Sequence, residues 1–100
     1  MIVKVHAADG SVTLEEPEDC RRFHVEASGG DAAAVARAVG STEPAPDDHV
    51  WVALDWVRSQ AAGRVGEGWE GDLDAMVGYA RSKGWLDAAG TAIQAHIEWT

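Results

Sequence analysis

One hundred residues, 46% of them hydrophobic and 25% charged, match one globular domain in length and composition and are too few for two. Seventeen Asp and Glu against eight Lys and Arg leave a net charge of −9. No cluster beyond Arg21-Arg22 supplies the cationic face that nucleic acid or an anionic membrane requires, so neither is expected as a partner. The lone cysteine, Cys20, excludes an intramolecular disulfide. The segment Met1-Ile2-Val3-Lys4-Val5-His6 lacks the pattern of a secretory signal, and no apolar run approaches the roughly 20 residues that span a bilayer. A cytoplasmic protein is expected. The absence of Asn and the excess of Ala and Arg over Lys suggest a GC-rich bacterial genome.

Along the chain, residues 2–7 alternate, with Val3 and Val5 on one face and Lys4 and His6 on the other. Asp9-Gly10 predicts a tight type I′ hairpin turn into a second strand over 11–15. Pro17 and the acidic loop around it interrupt the pattern. Residues 21–27 then read as a third strand, with Phe23 and Val25 inward and Arg22, His24 and Glu26 outward. These three segments predict an antiparallel meander.

Ser28-Gly29-Gly30 turns the chain, Asp31 is placed to cap a helix running to about Val39, and Gly40 is its expected stop. Pro44 and Pro46 mark a loop over 41–48. Val50-Trp51-Val52 favours extended backbone, so 49–53 reads as a short strand followed by a helix over 54–62, although Val50, Leu54, Val57 and Ala61 also fit one continuous helix. Trp69, Leu73, Met76, Val77 and Ala80 recur at helical spacing, with acidic residues in the first turns and Arg81 and Lys83 in the last. Gly84 and Trp85 are placed for a Schellman stop. Residues 91–99 alternate as a last strand, with Ile93, Ala95, Ile97 and Trp99 inward. The expected fold is a single α+β domain over 1–100. It is a two-layer sandwich whose mostly antiparallel sheet, three N-terminal strands plus the C-terminal one, carries helices on one face.

Gly66-Glu67-Gly68-Trp69-Glu70-Gly71 matches G-x-G-x-x-G by letter only. A dinucleotide site needs a preceding strand, and here the glycines follow a helix and sit among carboxylates that would repel a pyrophosphate. Asp72-Leu73-Asp74 has a structural reason to open a helix, so no divalent cation is assigned there. Cys20 has no Cys-His signature, and Asp19 opposes the neighbouring arginines. No cofactor is implied.

The histidines carry the best chemical signal. His6, Arg22, His24, Glu26, His96 and Glu98 fall on the polar side of predicted strands, with His24 beside Glu26 and His96 beside Glu98 at i,i+2. Such a face suits acid–base work or a polar ligand. In a meander, His6 and His24 lie two strand spacings apart, about 9.6 Å, which argues against convergence on a metal. Five tryptophans exceed the usual share. Most are expected in the core, with Trp51, Trp69 and Trp85 as candidates for an interface or pocket and Trp51 the one expected outside. The expected function is therefore a non-enzymatic module that self-associates, as a homodimer for example, or binds another protein. The alternative is a small enzyme or ligand-binding protein working on the His/Glu face.

Overall fold

In the computed structural model, which describes residues 1–41, 45, 46 and 48–100, the elements in chain order are β1 (Ile2–His6), β2 (Ser11–Glu15), β3 (His24–Ser28), α1 (Ala32–Ala38), β4 (His49–Ala53), α2 (Leu54–Ala61), α3 (Trp69–Ser82) and β5 (Ala92–Trp99). They form an α+β fold with one five-stranded sheet in the order β2-β1-β3-β5-β4. Val3, Val5, Leu14, Val25, Val50, Val52, Ile93 and Ile97 from the sheet join Val35, Val57, Leu73 and Ala80 from the helices in one buried cluster. No described helix is long and apolar enough to cross a membrane.

The sheet is mixed, which corrects the expectation of a mostly antiparallel one and of an N-terminal meander. β1 pairs with β2 antiparallel, but with β3 in parallel, and β3 pairs with β5 in parallel as well. The physical reason lies in residues 16–23. They pass beneath the start of β1 to its far side, a step of two strand spacings rather than a tight hairpin. The passage is tied down where the Met1 amine donates to the carbonyls of Asp19 and Arg22, the latter at 2.6 Å, and the Met1 side chain is buried. β1, whose Val3 and Val5 are both buried, thereby becomes an interior strand and β2 an edge. A carbonyl of that edge, Leu14 O, accepts from Arg64 Nη2 at 2.9 Å.

Residues 49–53 do form a strand, followed by a separate helix. β4 belongs to the sheet, pairing antiparallel with the first part of β5 from His49↔His96 to Ala53↔Ala92. On its other side β5 pairs with β3 only from Ile97 onward, and a single bridge from Leu86 to Ile93 fills the rest. The sheet is therefore incomplete between the start of β3 and residues 85–86.

The local stops follow the sequence closely. Asp31 Oδ1 accepts from Ala34 N at 2.9 Å, capping α1. At the end of α3, Trp85 N donates to Ala80 O and Gly84 N to Arg81 O, with Gly84 at φ 77°, the bond pair of a Schellman motif. The first hairpin differs from its expected type I′ turn. His6 pairs with Ser11 across a loop over 7–10 in which only Gly10 has positive φ, and the Asp9 carboxylate accepts from Ser11 N. Gly30 is required by packing: a Cβ there would stand 2.7 Å from the Ala7 methyl.

Candidate functional site

The face of the sheet opposite the buried cluster carries the alternate residues of every strand, among them Lys4 and His6 of β1, His24 and Glu26 of β3, and His96 and Glu98 of β5. Because β3 and β5 run parallel in the register Glu26↔Glu98, two carboxylates stand directly opposite one another. His24 lies at the start of the same row, with Nε2 at 3.2 Å from Glu26 Oε2 and 3.6 Å from Glu98 Oε2. Like charges facing each other across a strand pair are destabilising unless something positive or hydrogen-bonding lies between them. The imidazole fills that role. Its side chain is 19% exposed and that of Glu98 is 58% exposed, so the cluster is anchored on one side and open on the other.

The other predicted face residues are dispersed. His6 pairs with Ser28 in the sheet register, at the far end of β1 from His24, and its Nδ1 lies 3.4 Å from Ser28 Oγ. His6 and His24 are thus on adjacent strands but offset along them, which replaces the two-strand separation expected from a meander. His96 packs edge-on against His49 at 5.3 Å between ring centroids. Arg22 precedes β3 and is off the sheet, where its Nε meets Asp19 Oδ2 at 3.2 Å.

A second feature opens where the sheet is incomplete. A cleft of about 220 Å³ lies between α3, the start of β3 and the first half of β5, lined by residues that include Arg21, Phe23, Met76, Tyr79, Trp85 and His96. Tyr79 and Trp85 form its rim, edge to face with centroids 5.8 Å apart, and are 58% and 40% exposed. No carboxylate is found among the described lining residues, although the chain carries −9. Arg21 makes no ion pair among the described residues, whereas Arg22 is held by Asp19 and Glu16. Beside it, a groove of about 560 Å³ shares Arg21, Met76 and Tyr79 with the cleft and adds Glu18, Asp19 and Asp72. Arg21 therefore stands at the border between a cleft with no described carboxylate and a groove that holds three.

Of the tryptophan candidates, Trp85 is at this cleft. Trp69 is buried and donates its indole N–H to Pro17 O at 2.6 Å, which makes it a core residue. Trp51 is half-buried on β4 rather than the outermost of the five. Trp99, expected inward, is 43% exposed beyond the last buried position of β5, with its indole N–H on Asp48 Oδ1 at 3.1 Å. Sequence reasoning missed Arg21, Met76 and Tyr79, and read Phe23 as an ordinary strand residue. The available signal was Tyr79 at i+3 from Met76, on the helix flank leading to the Schellman stop that turns Trp85 back beside it. Burial pushes the Cys20 thiol up from its ordinary value, with the charge of Asp72 adding to it, so the thiol is not an activated nucleophile.

Comparison with known proteins finds no matching family model, no matching curated protein and no matching solved structure, so a functional reading of this chain rests on its own geometry.

Proposed function

We propose that this chain is a protein-interaction module that docks a short segment of another protein in the cleft beside α3. The observation that carries this reading is the exposed Tyr79–Trp85 pair standing over a cleft whose described lining holds no carboxylate and whose Arg21 makes no ion pair among the described residues. Tyr, Trp and Arg are the residues in which binding energy concentrates at protein interfaces. Size narrows the occupant. Pockets for small molecules run to about 300–1,000 Å³, and 220 Å³ falls below that range while accommodating one or two anchoring side chains.

Charge narrows it further. A carboxylate fits beside Arg21 and His96, and a Lys or Arg fits over Glu18, Asp19 and Asp72 across the Tyr79 ridge. The partner segment then has an apolar anchor with an acidic residue on one side and a basic one on the other. A homodimer would bring together two chains of −9 each, so a different protein is the better partner. Nucleic acid is disfavoured by the same charge. A reducing, cytoplasmic setting fits the lone thiol of Cys20.

Selection from a displayed library of random 12-residue peptides tests the proposal. Enriched sequences are expected to share an apolar residue flanked by Asp or Glu on one side and Lys or Arg on the other. Binding should fall at least about tenfold, the effect of losing a hot-spot contact, in Trp85→Ala and Arg21→Glu. Enrichment of peptides that bind both variants as well as the parent would overturn it.

A further inference from the structure

We propose that His24, Glu26 and Glu98 form a binding site for one divalent transition-metal ion, with Zn²⁺ the best fit. The inference goes beyond the cleft reading and concerns a different surface. Three observations on the polar sheet face support it.

Distance comes first. Zinc bonds of about 2.0–2.1 Å to nitrogen and oxygen in a tetrahedron place the ligand atoms roughly 3.3 Å apart. His24 Nε2 stands 3.2 Å from Glu26 Oε2 and 3.6 Å from Glu98 Oε2, and one ligand atom from each of the three lies within 4.8 Å of the others. The widest gap closes by rotating Glu98, whose side chain is the most exposed of the three.

Backbone placement is the second. Glu26 and Glu98 are register partners on adjacent parallel strands, and His24 is two residues before Glu26 on the same face. The donors are therefore set by strand pairing rather than by a mobile loop, which is the preorganisation a metal site needs. The parallel pairing of β3 with β5 creates this convergence by setting Glu26 against Glu98.

Charge is the third. Two carboxylates and a neutral imidazole offset a +2 ion, whereas an imidazolium alone leaves the cluster at −1. Lys4 on β1 stands opposite Glu26 in the register and is the other cation facing the group, but no Lys4–Glu26 ion pair forms among the described residues. An imidazole nitrogen with two carboxylates favours zinc and its first-row neighbours over calcium or magnesium, which take oxygen ligands. Three protein ligands on an open face leave the remaining position to water.

Titration of the purified chain with Zn²⁺ alone, read by calorimetry and by competition with a chromophoric chelator, tests the site. One ion per chain is expected. Glu98→Gln, at an exposed position where folding is not at stake, and His24→Ala should each weaken binding about tenfold or more, the scale on which disturbing a metal's supporting residues registers. His6→Ala and His96→Ala should leave it within about twofold. Zn²⁺ should also raise the melting temperature of the parent and not of Glu98→Gln. A parent titration indistinguishable from Glu98→Gln, or binding that is lost in His96→Ala, would overturn the proposal.

Discussion

Asp9, Asp19 and Asp87 carry carboxylates that each accept a hydrogen bond from a backbone N–H a few residues on, at Ser11, Arg21 and Ala92. That bond is the main reason each carboxyl is held below its ordinary value of 3.8. The ionised form is thus favoured by folding. The stability it contributes is present above 3.8 and is lost as pH falls through the lower folded value. Thermal melts stepped across this acid range should show stability declining, and Asp87→Asn, which keeps an acceptor but cannot titrate, should flatten part of the decline. A pH profile unchanged by Asp87→Asn would count against the assigned bond. Asp31 and Gly84 were legible from their residue types alone, because a helix cap and a left-handed stop each select a narrow set of side chains. The Asp87 turn was not, since its partners Thr91 and Ala92 became neighbours only when residues 86–93 closed into a hairpin.

Elements were readable where one face is buried along their whole length. In α3 the residues buried against the core are Trp69, Leu73 and Ala80, at the spacing the sequence shows, while Met76 and Tyr79 lie on the flank that lines the cleft. This division predicts different costs for neighbouring truncations. Leu73→Ala, at a fully buried position, should lower unfolding stability by about 2–5 kcal/mol, and Met76→Ala clearly less; chemical denaturation of both variants measures the difference. Equal losses would mean that Met76 belongs to the core. The strands were legible as strands, yet their partners were not. A period of two fixes which face a residue takes but carries no information about which neighbour its backbone bonds. Val3 and Val5 look the same in an edge strand and an interior one. β1 became interior because residues 16–23 wrap around the Met1 amine, a contact no pattern in the sequence announces. The alternation over 21–27 likewise ran past the true start of β3, since Arg21 to Phe23 leave the sheet to border the cleft.

Taken as a whole, the molecule has two distinct surfaces of interest, and they differ in how far the sequence revealed them. His24 and Glu26 share a strand and were visible as an i,i+2 pair. Glu98 joined them through the parallel register of β3 and β5, which depends on topology. The cleft could not be read at all, because its lining comes from separate stretches around Arg21, His49, Met76, Trp85 and His96, brought together where the sheet is left incomplete. Its charge is also opposite to what the total of −9 suggests. Docking of a partner segment in this cleft, as proposed, would perturb the residues that line it. Titrating isotope-labelled protein with an enriched peptide, and following backbone amide resonances, tests it most directly. Shifts are expected to concentrate at Phe23, Tyr79, Trp85 and Gln94, with the β1–β2 hairpin unmoved. Shifts centred on that hairpin, or spread evenly over the surface, would contradict it.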